Sequence, residues 1–405
     1  MLLRHNINKY DCFVFLLIAS LAAGNVGGSL QPGRLLTILF IPYLLKNRRL
    51  ILKCRTINRV LLFFLFWMAY SFISLLWCLD KEQAGKDIVY YPIHMFTFLE
   101  IAVFTFRSQR PVESMMKGWV AALLITFPIA FTEIFTNIHL PSTYQYHEEN
   151  RMIKLGDLAI QQQYAAVTFG NYNSYGTFLC FASPFILGLI IHLKSFIGQI
   201  FSYAIFFSIV YISIINGSRG AFLSLSIMIV IFLMYQKKYS RKSTKYIFVL
   251  VLLGACFLLW EYGADIFLQL QARVEGKSSI MEDDGRSQLI VLSLEATLNS
   301  FFLGNGIGSM EKALGGGGTA THNFVLELLI QFGLVITLMV VFFIINLYLW
   351  SRENYVPKDL GFVVKASILS FVFIMVINSG YLRDLMTWVY FGSLFAIVLV
   401  TKYRS

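Results

Sequence analysis

The sequence predicts an all-α polytopic membrane protein of about 12 transmembrane helices with a large external loop, on three observations. The 405 residues are 57% hydrophobic and only 14% charged, with a mean hydropathy of +0.68, whereas soluble domains carry about 25% charged residues. Apolar runs of membrane-crossing length recur along the whole chain. Basic clusters sit between alternate runs, as the positive-inside rule demands. The 38 phenylalanines suit a lipid-facing surface better than a soluble core.

Crossing the hydrocarbon core takes about 20 mostly apolar residues. Twelve segments qualify, at approximately 11–30, 33–46, 60–79, 88–106, 117–136, 174–193, 197–215, 220–236, 245–262, 324–350, 362–378 and 384–401. The first lacks a small-residue cleavage site followed by a soluble domain, so it reads as a retained helix. The second is short, and only a polar turn carrying Arg219 divides the seventh from the eighth.

Loop charge orients these spans. Lys46, Arg48, Arg49, Lys53, Arg55 and Arg59 lie between the second and third, and Lys237, Lys238, Arg241, Lys242 and Lys245 between the eighth and ninth. Arg107, Arg110 and Lys117, then Lys194, then Arg352 and Lys358, then Lys402 and Arg404 continue the alternation. With both termini cytoplasmic, every cluster falls inside. The net charge of +11 therefore sets orientation, and no nucleic-acid partner is needed to explain it. The five cysteines are scattered without CxxC or metal-type spacing and read as apolar fillers.

The chain reads as a single integral membrane domain, 1–405, with two long external loops at 137–173 and 263–323. The second is too long for a connector. Within it, Ser287 to Leu303 has a helical pattern with a broad apolar face, fitting a helix that lies along the membrane surface or packs on the bundle. "GNGIG" ends that helix and "GGGG" at 315–318 supplies a hinge.

Three polar clusters fall on the external face. Ser218-Arg219-Gly220 opens the eighth span, where free N–H groups, the helix dipole and a guanidinium favour an anion such as a diphosphate; an arginine snorkelling from a helix end is the plainer reading. Arg286, in "DDGRSQL", starts the surface helix, or is simply a solvated loop charge. The neighbouring Glu282, Asp283 and Asp284 lack metal-ligand spacing, so no metal is expected. His322, in "THNFVLELL", stands just outside the tenth span and can take a proton from an attacking hydroxyl. Ser218, Asn323, Asn171 and Asn173 (the last two in "FGNYNSYG") line the same cavity or cap their helices.

The order "SRGAFLSL", "GRSQLIVLSLEATLNSFFLGNGIGSM", "THNFVLELLIQFGLV" resembles the O-antigen ligase/polymerase superfamily over about residues 170–350. The likeness departs from the family at Tyr172, where a proline commonly follows the asparagine. It implies a GT-C-like, inverting, metal-independent glycosyltransferase without cofactor, in the inner membrane of a bacterium. The donor it implies is a glycan on undecaprenyl diphosphate at the outer face of that membrane. Arg219 and Arg286 would then match the diphosphate-binding arginines, and His322 the base that activates the acceptor hydroxyl. A polymerase-type acceptor, another lipid-linked glycan, is favoured slightly, because each polysaccharide locus can carry its own polymerase. Ligation to lipid A–core is the alternative. A transporter of lipid-linked sugars would place charges near the bilayer midplane of two related halves, and here only Glu133 and Lys365 come near it.

Overall fold

The structure is a computed structural model describing residues 7–141, 152–155, 158–161, 163–239, 281–316, 320–353 and 355–404, the side chains of 152–161, 237–239 and 281–287 excepted. The helices are α1 Lys9–Ala19, α2 Pro32–Lys46, α3 Arg48–Lys53, α4 Arg55–Ser74, α5 Lys81–Arg107, α6 Pro111–Thr136, α7 Tyr172–His192, α8 Phe196–Asn216 and α9 Arg219–Tyr239. They continue as α10 Met281–Asn299, α11 Met310–Ala313, α12 Phe324–Trp350, α13 Lys358–Ile374 and α14 Leu385–Arg404. Among the described residues, eight of these (α4 to α9, α12 and α14) are long and apolar enough to cross a membrane. The chain is a helical, polytopic membrane protein.

Eleven of the twelve predicted spans overlap described helices, eight of them of membrane-crossing length, while 245–262 lies outside the described residues. The first differs in shape: α1 stops at Ala19, and 20–30 fold into two short 3-10 turns. Gly24, Gly27 and Gly28 there take left-handed φ of 51°, 86° and 54°, which an α-helix cannot accommodate. α13 runs from 358 to 374, four residues earlier than expected. Part of the first predicted loop forms an antiparallel hairpin, β1 Met152–Leu155 with β2 Leu158–Gln161, which the all-α reading did not foresee.

Burial separates the core from the periphery. The apolar windows of α7 and α14 are 89% buried, those of α4 and α9 only 33%. α14 packs along α5, α9 along α13, and α7 against α8 and α13. Small residues permit this: a Cβ at Gly392 of α14 would sit 3.2 Å from the Phe98 backbone of α5.

α4, α6, α8 and α13 finish at the end of the bundle where α5, α7, α9, α12 and α14 begin, called here the motif end. At the opposite end Asn8 donates to the Arg107 carbonyl, Arg107 to Asn47 Oδ1 and Arg404 to the Ser108 carbonyl. These bonds bring both described chain ends to the same side as the basic 46–55 segment.

Candidate functional site

Arg219 opens α9 in three steps. Gly217 ends α8 in the left-handed region at φ 64°. The Ser218 carbonyl then accepts from Phe222 N (3.0 Å), and its hydroxyl lies 3.5 Å from Ala221 N. Arg219, exposed, follows in the first turn. Asn216 fixes this corner, accepting from Ala165 N (2.7 Å) and donating to the carbonyls of Ala165 (3.0 Å) and Tyr172 (3.4 Å). Gly220 allows a close approach, since a Cβ there would meet Ile377 Cγ1 at 2.8 Å and the Phe373 carbonyl oxygen at 3.2 Å. The start of α9 is therefore pressed against the end of α13.

His322 reaches the same place from α12. Asn323 caps that helix, accepting from Val325 N (2.9 Å) and Leu326 N (3.2 Å). The Phe324 amide donates to the Met375 carbonyl at 3.0 Å. Between Thr321 and this cap, His322 has φ 45°. A left-handed conformation costs a non-glycine residue about 1–2 kcal/mol, and such strain persists only where the surroundings impose it.

One loop, 375–384 ("MVINSGYLRD"), joins the motifs. Beyond Met375 and Ile377, its Asn378 amide donates to Ser174 Oγ (3.0 Å) and Asp384 Oδ2 (3.4 Å). Glu327 of α12 accepts from Tyr381 N (2.9 Å) and Leu382 N (3.3 Å). Arg383 pairs with Asp87 of α5, and Arg34 of α2 donates to the Arg383 carbonyl (3.1 Å) and approaches His94 Nε2 (3.2 Å). Sequence reasoning singled out no residue of this loop. The available signal was the Arg383-Asp384 pair beside an apolar run, since charges that deep are paired or functional. Next to the loop, Asn25, Gln31, Ser174 and Asp384 line a small cavity that opens to the surface.

The predicted cavity-lining residues divide by role. Asn171 caps α7 through Ser174 N (2.7 Å), and Asn323 and Ser218 serve the starts of α12 and α9. Asn173 is half-buried, and its carbonyl accepts from the Thr177 hydroxyl (3.0 Å). Ser174, unremarked in the sequence, is the group that faces the cavity.

Arg286 lies in the second turn of α10, not at its start, because the helix begins at Met281. Glu282, Asp283 and Asp284 occupy the first turn, where the helix dipole favours acidic residues, so the helix extends beyond its apolar pattern. The side chains of 282–284 and 286 lie outside the described residues, as do 263–280 and 317–319 of the loop. α10 packs on α12 through Ser293, Ala296 and Thr297, while Ile290, Val291, Leu294 and Leu298 are exposed. Among the described residues no three His, Cys, Asp or Glu side chains are grouped to hold a metal.

"GNGIG" does more than end α10: it threads into the bundle. Asn305 N donates to the Ile330 carbonyl (2.6 Å), Gly306 N to the Gln331 carbonyl (3.1 Å), Gly308 N to Gln331 Oε1 (3.0 Å) and Ile307 N to Ser74 Oγ (3.1 Å). α12 is broken to receive it, with Gly333 at φ 69° and ψ −167°, and Leu334 N donates back to the Phe302 carbonyl (2.9 Å). A Cβ on Gly304 would lie 2.5 Å from Gly333 N, and one on Gly308 2.5 Å from Ala84 N. Beyond the wedge, Lys312 pairs with Asp80 at 3.3 Å; the Gln83 amide and this ammonium hold the Asp80 carboxyl below its usual range. The helix carrying Arg286 and the helix started by His322 are thus tied through one backbone crossing.

Residues 203–341 match the O-Antigen ligase family. That ligase-family segment runs from α8 into α12 and contains Arg219, Arg286 and His322 in the order the sequence motifs suggested. A further similarity extends beyond it: the chain is 23% identical over 297 residues to "Teichuronic acid biosynthesis protein TuaE" of Bacillus subtilis (strain 168). The alignment covers 70% of this chain and 58% of the relative, so the chain spans less than two thirds of that protein's length. The 375–384 loop, Asp87 and Arg34 all lie outside the ligase-family segment, which is therefore buttressed by flanking helices.

Proposed function

We propose that this chain is a membrane glycosyltransferase of cell-surface polysaccharide synthesis, moving a glycan from undecaprenyl diphosphate to an acceptor hydroxyl. The observation that carries the reading is the convergence of the starts of α9 and α12 on Met375–Ile377. It brings the Arg219 and His322 segments together at one end of the bundle. The ligase-family match over 203–341 supports the class, and a relative named for teichuronic acid biosynthesis supports a polysaccharide role.

In this reading the chain crosses the inner membrane twelve times, with both ends and the basic end cytoplasmic and the motif end outside. The large external loop, 263–323, carries Arg286 over the motif end. The acceptor oxygen attacks the anomeric carbon opposite the departing diphosphate, inverting it, as the bond to the phosphate oxygen breaks. Arg219, exposed where the α9 dipole is positive, and Arg286 offset the charge that grows on the leaving group. His322 takes the proton of the attacking hydroxyl. No metal or cofactor enters the scheme. Asn25, Gln31 and Asp384 offer amide and carboxylate partners to sugar hydroxyls at the neighbouring cavity. The acceptor is a second lipid-linked glycan; lipid A–core is the alternative.

The test is the polysaccharide profile of a deletion strain complemented with wild type or His322→Ala. Single repeat units without a ladder identify a polymerase, and long chains stranded on the carrier identify a ligase. A wild-type profile restored by His322→Ala would overturn the proposed base.

A further inference from the structure

α10 buries its small residues and exposes its large ones. Successive residues of a helix are rotated by about 100°, which sorts 288–299 into three stripes. Ser293, Ala296 and Thr297 are buried on the side that packs against α12. Ile290, Leu294 and Leu298 form a second stripe and are 46–55% exposed. Gln288, Glu295 and Asn299, also exposed, form the third. A helix on a water-soluble domain turns its large apolar residues inward and its polar ones outward. The order here is that of helices in lipid, which meet through small residues and present large ones to acyl chains.

Two further observations say what covers the apolar stripe. The first is depth. The Phe302 carbonyl accepts from Leu334 N, ten residues into α12 and so about 15 Å along it from Phe324. Tyr70 of α4, another helix of membrane-crossing length, donates to the Leu303 carbonyl. Phe301 is 85% exposed at this level, and Leu334 and Val335 of α12 are exposed apolar residues beside the same bond. The apolar surface of α10 therefore runs on into the lipid-facing surface of α12. The second observation is the frame around it. Trp77 Nε1 donates to the Gly304 carbonyl at 3.0 Å, and a Trp and a Tyr at one level mark a membrane–water boundary. The charged Asp80, Lys81 and Glu82 follow directly. A soluble partner protein would meet the apolar requirement but not the depth.

We infer that α10 and 301–303 form a lipid-docking surface, with the helix lying in the boundary of the leaflet at the motif end. Ile290, Leu294, Leu298 and Phe301 sit among acyl chains, while Gln288, Glu295 and Asn299 face the headgroups. The large loop is thus moored to the bilayer along 288–303, which holds the Arg286 turn of the same helix at headgroup level.

Bimane fluorescence from single cysteines tests it, in the full chain with its five native cysteines replaced, in nanodiscs of phosphatidylethanolamine and phosphatidylglycerol. Gel filtration checks that each variant is folded. At Leu294→Cys, Leu298→Cys and Phe301→Cys, lipids with a nitroxide on the acyl chain should quench several-fold more strongly than iodide, as at Val335→Cys of α12. At Glu295→Cys iodide should be the stronger quencher. Quenching of the apolar stripe by iodide alone would place it in water and overturn the inference. Protection from both quenchers would mean that protein covers it, another segment or a second copy, and would overturn it equally. Should the cysteine replacements unfold the chain, the unmodified protein decides. Phosphatidylglycerol bearing a diazirine in its acyl chain should label 290–303, and label on α12 without any there overturns the assignment.

Discussion

Arg383 grips both oxygens of the Asp87 carboxylate, with Nε 3.0 Å from each and an Nη 2.9 Å from Oδ2. The pair fastens the 375–384 loop to α5, and Asp87 is wholly buried. Removing one partner strands a charge, which costs about 3–5 kcal/mol, whereas replacing both with apolar groups costs far less. Arg383→Ala should therefore lower the melting temperature of the detergent-solubilised chain sharply, and Asp87→Leu/Arg383→Leu should recover most of it. Equal melting of Arg383→Ala and the parent would show that the loop is held some other way.

A different penalty is expected at the broken helix. A Cβ on Gly333 would land on the Phe302 carbonyl oxygen, while one on Gly315 (φ 99°) meets nothing within 4 Å. Gly315→Ala should cost only the left-handed backbone term, about 1–2 kcal/mol. Gly333→Ala should cost clearly more, because the crossing must open. Thermal melts of the two variants side by side decide it.

At His322, stability and activity should move in opposite directions. His322→Gly removes the strain of φ 45° and should gain about 1 kcal/mol, while glycan transfer is lost. His322→Asn should keep the parent's melting temperature, since asparagine tolerates this backbone, and should be equally inactive. Loss of stability in His322→Gly would mean that the imidazole is chiefly a structural group.

Arg219→Lys should fail to restore polysaccharide in the deletion strain. Lysine keeps the charge but lacks the planar fork that meets a phosphate with two bonds. Removal of one such stabilising group typically lowers turnover about 10²-fold or more. Full turnover by the lysine variant would reduce Arg219 to an anchor.

The apolar runs made most helices legible, because period and length follow directly from the bilayer. The break after Ala19 was not, since hydropathy carries no trace of the left-handed glycines that cause it. Glu133 looked like a charge within a span; it turns out to accept the amides of Ala166 and Val167 (2.8 Å each), holding the loop before α7 at the motif end. The motif residues were visible through their order. Their common support was not, because Arg383 meets Asp87 across 296 positions and neither residue has a local pattern. Likewise "GNGIG" read only as the end of a helix, since nothing local in it points to its partners Ser74, Ile330 and Gln331.

The broken α12 also has a consequence for biogenesis. With a mean hydropathy of 2.9 it is the most apolar of the described spans, and a segment so apolar favours the bilayer as a helix that satisfies its own amides. Its mature form instead leaves the carbonyls of Ile330 and Gln331 to Asn305 and Gly306, which precede it in the chain. Those carbonyls would lack partners in an apolar surrounding without the crossing, so the break at Gly333 and the seating of "GNGIG" stabilise one another and are expected to form together.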